Sequence, residues 1–268
     1  MRKTYGTRIP GLSREHLRGH LIVLEGADGS GRTTEVELLR EWLEVQGHPV
    51  VDTGLRRSTL VSEQIDRAKQ GHTLGATTMA LFYATDFADQ LENKILPSLA
   101  AGSTVLADRY IYTLMARAIV RGASRDWARR LYSFALEPDV TIFLDARPDI
   151  LLHRAISKYG SLDYWESGMD LSLSRDRFES FFLYQRRLGR EFDWMTHEYH
   201  FRRVDANRPP ALVHRDVRRF VAPIFGQEAP GEPNGGAAKS DAGRPNPVRR
   251  PVAKKSNASA PAPSAAAE

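Results

Sequence analysis

Residues 26–34, Gly26-Ala27-Asp28-Gly29-Ser30-Gly31-Arg32-Thr33-Thr34, hold the densest chemistry in the chain. Their spacing is that of a phosphate-binding loop, Gly-x-x-x-x-Gly-Lys-[Ser/Thr], with Arg32 standing where the pattern has lysine. Glycines let successive backbone N–H groups turn toward one point, and a following helix N-terminus adds partial positive charge there. A cation next in sequence can reach the outer phosphates of a nucleotide, and the Thr33 hydroxyl is placed to hold Mg²⁺. Arginine keeps the charge but offers a planar fork in place of a compact ammonium. A dinucleotide-binding turn is a weaker reading, because Gly26, Gly29 and Gly31 are not spaced as Gly-x-Gly-x-x-Gly.

Two further groups point at the same chemistry. Asp108-Arg109-Tyr110 closes an apolar run, so its carboxylate can orient a metal shell and Arg109 can grip a second anion opposite the loop. Alone, it has a weaker alternative reading as an N-cap with a surface arginine. From Pro148 to Trp194 the sequence is helical and carries Arg154, Arg175, Arg177, Arg186, Arg187 and Arg190, broken by a polar, glycine-marked stretch at 158–174. Cations on a hinged helical pair suit a lid over phosphates, with a plain solvated face as the alternative.

The elements that must position these groups follow from periodicity. Apolar runs predict strands at His20–Glu25, Pro49–Thr53, Ser103–Ala107, Val140–Asp145 and Tyr199–Val204. Helical patterns lie between them at about 33–46, 59–69, 75–100, 113–120, 124–134 and 210–220. Pro97 is expected to kink or shorten the long third helix. Strand–helix alternation predicts an α/β fold, a doubly wound five-stranded parallel sheet flanked by helices, with ligands at the carboxyl ends of the strands. Asp28, Asp52, Asp108, Asp145 and Asp205 all fall near such ends.

Composition agrees with a globular chain. Of 268 residues, 41% are hydrophobic and 26% charged, and there is no cysteine, which excludes disulfides and thiolate chemistry. No apolar run is long enough for a membrane span and no signal peptide is visible, so the expectation is a cytoplasmic protein with no membrane partner. The formal net charge of +5 sits in the two ends of the chain rather than on its folded middle, which weighs against nucleic acid. A basic N-terminal arm is expected at 1–19, with a possible helical turn at Ser13–Arg18. The folded domain is expected at 20–225 with a lid over 148–194, and a disordered tail at 226–268, where large apolar residues are almost absent.

With these features placed, residues 20–225 resemble the thymidylate kinase family of P-loop nucleoside monophosphate kinases. The resemblance rests on Leu24–Thr34, on Leu81-Phe82-Tyr83-Ala84-Thr85-Asp86, on Ile95-Leu96-Pro97 and Ala101-Gly102, and on Ala107-Asp108-Arg109-Tyr110. It implies transfer of the γ-phosphoryl of ATP to dTMP with Mg²⁺, in a homodimer. It assigns Gly26, Ala27, Asp28, Gly29, Ser30, Gly31, Arg32, Thr33 and Thr34 to the ATP phosphates, with Asp205 and Ala206 near the adenine. Thr33 and Asp108 are implied at the metal, and Asp28, Arg32, Asp108 and Arg109 at the reacting phosphates. Tyr83, Phe87, Arg109, Tyr110 and Arg117 are implied around the acceptor nucleotide.

Four positions depart from the family pattern. Arg32 replaces a lysine, and Thr53-Gly54-Leu55-Arg56-Arg57 stands in place of an Arg-Glu-Pro-Gly turn. Phe87 stands where an arginine reads the thymine, and Arg117-Ala118 replaces a polar pair. Arg117 is expected to make up for the guanidinium missing at position 87, and Arg32→Lys to remain active. Another phosphorylated acceptor, or a nucleotide sensor without turnover, stays open as an alternative.

Overall fold

The computed structural model describes residues 3–7, 16–71 and 74–228. Five parallel strands form one sheet: β1 (Leu21–Gly26), β2 (Val50–Gly54), β3 (Thr104–Asp108), β4 (Val140–Asp145) and β5 (Arg202–Asp205), in the order β2-β3-β1-β4-β5. All six residues of β1 are buried, as a central strand covered on both faces requires. Its residues alternate between two cores. Leu21 and Val23 face one layer of helices with Val105, Ala107 and Phe143, while Ile22 and Leu24 face the other with Leu106, Ile142 and Leu144.

Helices α1 (Arg32–Val45) and α9 (Pro210–Val221) cover the second face, with Val36, Leu39, Leu43, Val213, Val217 and Val221 turned inward. The first face carries α3 (Ala76–Gln90), α5 (Ile111–Val120) and α8 (Arg177–Glu198), with α2 (Ser62–Gly71) and α6 (Arg125–Leu131) at its margin. α3 does not stop before Pro97. It passes through a π-helical turn at Leu91–Ile95 into α4 (Leu96–Ala100), so the wider turn absorbs the missing N–H and the bulk of the ring. α7 (Pro148–Tyr159) and the start of α8 flank the polar stretch, which holds only a short 3₁₀ turn at Met169–Leu171.

Residues 3–7 are stitched to the domain rather than standing clear of it. Thr4 bridges Leu136 in antiparallel sense, Tyr5 N donates to Ala135 O (3.1 Å), and Glu137 N donates to Lys3 O (2.9 Å). The Tyr5 ring sits edge-on between Tyr112 (6.2 Å) and Tyr199 (5.3 Å), and its hydroxyl bonds that of Tyr112. The expected helical turn at Ser13–Arg18 lies largely outside the described residues, as does the expected disordered tail from residue 229 onward. Among the described residues no helix is long and apolar enough to cross a membrane.

Candidate functional site

β1 delivers the loop 26–31 into the N-terminus of α1. Gly26 has φ +152°, and a Cβ there would lie 2.5 Å from Ser30 Oγ and 2.8 Å from Leu144 O, so only glycine fits this entry. Gly31 caps α1 in the left-handed region at φ +99°. The loop forms one wall of a cavity of about 520 Å³, with Arg154, Lys158 and Tyr159 of α7 opposite and Ala206, Arg208, Pro210 and Val213 at its far end. That is ample for a nucleoside triphosphate's polar head.

Arg32 touches this cavity, but its guanidinium is committed elsewhere. Its side chain is 94% covered and folds back beneath the loop. There Nη1 donates to Gly26 O, to Ala27 O (2.5 Å) and to Ser30 Oγ (3.3 Å), while Nε donates to Asp108 Oδ1 (2.8 Å). Nη2 lies 3.5 Å from Asp28 Oδ1. A planar fork can serve the loop carbonyls and two carboxylates at once, whereas an ammonium could not span them. From α7, Arg154 donates to Gly29 O (3.1 Å) and to Ala206 O (2.9 Å), tying the loop to the β5 edge.

Asp28 is shared by three arginines. Besides Arg32, it pairs with Arg109 and accepts from Arg117 Nη2 (2.8 Å). Arg109 is itself unusual, with a left-handed backbone at φ +72° and a buried Nε that has no hydrogen-bond partner among the described residues. Burial, joined by the like charge of Arg117, pulls its pKa down, yet a guanidinium remains a cation at neutral pH. A strained, buried cation short of partners is a seat for an anion. Asp108 closes the group, 3.4 Å from the Thr33 hydroxyl.

Two buried carboxylates missed in the sequence hold these turns in place. Glu25, fully buried in β1, accepts from Tyr110 N (2.9 Å), Thr113 N (3.2 Å) and Thr113 Oγ1 (2.5 Å). It thereby caps α5 immediately after Arg109. Asp86 of α3, also fully buried, accepts from Arg56 N (2.9 Å), Ser58 N (3.0 Å) and Gln90 Nε2 (3.0 Å), and so fixes the turn that stands in for Arg-Glu-Pro-Gly. Desolvation raises the pKa of both. Each was visible as an acid inside an apolar pattern, a signal that burial of charge demands partners.

A second, smaller chamber of about 50 Å³ adjoins the first, lined by Lys69, Met79, Tyr83, Leu114, Arg117 and Ala118 among others, with Trp165 and Glu166 of the loop between α7 and α8 across it. Glu166 lines both chambers. Arg121 anchors the loop: it donates to Asp170 (2.8 and 3.1 Å) and Tyr184 Oη (2.9 Å), with its guanidinium 5.3 Å from the Tyr184 ring. This volume suits a few waters.

The sequence-derived residues therefore divide. Loop residues 28–34, Asp108, Arg109 and Ala206 line the larger cavity, with Gly26 and Ala27 behind it, while Tyr83 and Arg117 line the chamber. Phe87 and Tyr110 do not reach the chamber. Their rings pack at 5.0 Å within an aromatic core that includes Tyr132 and Phe134, and Tyr110 Oη is spent on Leu136 O (3.1 Å). Asp205 turns to Asn207 and Arg208 rather than to the cavity, Asp52 to Arg40, and Asp145 to Arg203. Of the lid arginines only Arg154 lines a chamber; Arg186, Arg187 and Arg190 lie exposed on α8.

A phosphate-binding loop at the head of a central parallel strand, with a helical flap carrying cations across from it, defines the class of P-loop kinases. The family model described as thymidylate kinase matches residues 24–217. The chain is 37% identical to "Probable thymidylate kinase 2" of Saccharolobus solfataricus over 206 residues, 76% of this chain and 96% of that protein. It is 32% identical to "Probable thymidylate kinase" of Staphylothermus marinus over 209 residues, 76% and 94% of the two chains. Identity to "Thymidylate kinase" of a Jannaschia species is 32% over 209 residues, 75% and 94%. The chain belongs to the thymidylate kinase family.

Proposed function

We propose that this protein transfers the γ-phosphoryl group of ATP to the phosphate of dTMP, giving ADP and dTDP. The observation that carries the reading is the sharing of Asp28: a residue of the donor loop is clamped both by Arg109, which lines the donor cavity, and by Arg117, which lines the acceptor chamber. Donor and acceptor phosphates would meet at that point. The names of the relatives support dTMP as the acceptor.

In this reading the backbone of residues 26–34 cradles the donor phosphates, and Arg154 crosses over them from α7. Thr33 and Asp108 offer a hydroxyl and a carboxylate 3.4 Å apart at the cavity wall, hard oxygen donors that fit Mg²⁺. The ion, when bound, would neutralise charge on the donor phosphates. Arg109 seats the acceptor phosphate in line, and Arg32 holds the loop and Asp108 in register. An acceptor oxygen attacks the γ-phosphorus as the bond to the ADP oxygen breaks. No general base is needed, since a monophosphate with second pKa about 6 is already a dianion. Rate then comes from alignment and charge neutralisation.

Tyr83 would stack on the acceptor base. Phe87 lies in the aromatic core and Arg117 is committed to Asp28, so neither is free to read the thymine as the family's arginine does. Coupled ADP release measured with dTMP, dUMP, dCMP, UMP and AMP tests the assignment. Turnover fastest with dTMP is expected, and turnover confined to another monophosphate would overturn the acceptor while leaving the kinase. ATP binding with no turnover on any acceptor would overturn both.

A further inference from the structure

The acceptor chamber holds three cations, and two of them are already matched. Arg117 donates to Asp28 and Arg121 to Asp170. The third, Lys69 near the end of α2, lines the same chamber, yet its ammonium has no hydrogen bond or ion pair among the described residues. Its position is not accidental to the fold. The carbonyl of Lys69 accepts from Trp165 Nε1 (3.2 Å), so the lid loop itself is fastened to this residue.

From its surroundings Lys69 lies toward the phosphate end of the chamber. Its electrostatic neighbours are Arg117 from α5 and Arg56 from the turn after β2, with Asp163 and Glu166 from the lid loop opposing them. Arg56 and Glu166 both also line the donor cavity, which puts Lys69 beside the boundary between the two chambers. Tyr83, Tyr132 and Tyr184 complete the wall. Arg56 is paired with Asp66 and Arg117 with Asp28, so of these three cations the Lys69 ammonium is the one left, among the described residues, for an anionic ligand to meet.

We infer that Lys69 is a binding residue for the phosphate of the acceptor nucleotide, completing from α2 the cationic seat that Arg109 and Arg117 begin. This rests on the kinase reading given above and adds a residue to its acceptor side. Supporting the geometry, burial and then the charge of Arg117 lower the ammonium pKa to about 8. Its charge is therefore conditional in a way that the guanidinium groups are not.

Acceptor kcat/KM at saturating ATP, followed from pH 7 to 9.5 in wild type, Lys69→Met and Lys69→Arg, tests this. Across that range the acceptor phosphate stays a dianion and the arginines stay charged, so a fall above about pH 8 reports the lysine. Lys69→Met is expected to lower acceptor kcat/KM at pH 7 about tenfold or more, mostly through KM, with the KM for ATP within about twofold. Lys69→Arg is expected to restore most of that loss and to flatten the alkaline limb. Equal increases in both KM values, no change in Lys69→Met, or an alkaline limb kept in Lys69→Arg would each overturn the inference. Calorimetric titration with nucleoside monophosphates separates the two layers. Absent turnover on dTMP overturns the reaction assigned, whereas weaker monophosphate binding in Lys69→Met still supports Lys69, and unchanged or absent monophosphate binding overturns it.

Discussion

The donor cavity and the acceptor chamber are made of different materials. The donor side has a main-chain floor of glycine-bearing turns, a helix N-terminus and carbonyls gathered by one buried guanidinium, with side chains of α7 completing some 520 Å³ of space. The acceptor side is built from side chains, with arginines, a lysine and aromatic rings lining about 50 Å³. A backbone cradle recognises what every nucleoside triphosphate shares. A chamber of side chains can be re-cut one residue at a time, and the departures at positions 117 and 118 fall on that side. The difference separates general from specific recognition.

Substitutions sort along the same line. The largest effect is expected from Arg109→Ala, which removes the strained cation at the seam: kcat should fall by at least about a thousandfold, about 4 kcal/mol, with the KM for ATP changed only a few-fold. Steady-state kinetics in both substrates checks this, and an equal loss in the KM for ATP would merge the two sides into one. Next comes Glu25, which holds the Arg109 turn from behind. Glu25→Ala leaves two buried N–H groups unmet and should cost about 3 kcal/mol in urea unfolding, while Glu25→Gln keeps an accepting oxygen and should cost under about 1 kcal/mol.

The Glu25 pair also carries a pH signature. Because desolvation raises its pKa in the fold, the native state binds this proton more tightly than the unfolded chain does. Wild-type stability should therefore fall as pH rises from the unfolded value near about 4.3 toward the raised one, and Glu25→Gln should lose that part of the slope. Unfolding curves from pH 4 to 8 that stay parallel for the two proteins would show that the carboxylate is not the group responsible.

On the donor side Arg32→Lys is the sharper test. Sequence alone suggested that either cation would serve, but the fork holds Gly26, Ala27, Ser30 and Asp108 together. Lysine can keep only part of this, so a stability loss of about 2 kcal/mol is expected, with a rise in the KM for ATP exceeding that for the acceptor. An unchanged unfolding midpoint and ATP affinity would show that the fork is dispensable. The smallest effect should come from Tyr5→Ala, about 1 kcal/mol from lost aromatic contact, read as a melting shift of about 2–4 °C with kinetics preserved.

What the sequence disclosed follows from locality. The five strands, the loop at 26–34 and the Asp108-Arg109 turn are each spelled within a few neighbouring residues, and periodicity or glycine spacing suffices to find them. The chamber is assembled from α2, α3, α5, α8 and the lid loop, whose mutual register no local pattern encodes. Hence Phe87 and Tyr110 were expected at the acceptor and belong to the core, while Lys69, Arg121 and Trp165 went unnoticed. The acids Glu25 and Asp86 stood in plain view, but their partners are backbone groups 85 and 30 residues away.

The stitched N-terminal segment bears on how the chain becomes a protein. Tyr5 waits for Tyr112 and then for Tyr199, contacts separated by more than a hundred residues, so its slot does not exist until most of the sequence has left the ribosome. Such a closure raises contact order and contributes little to an early nucleus. Residues 3–7 are thus among the last to be fastened, and loosening them should quicken unfolding more than it slows folding.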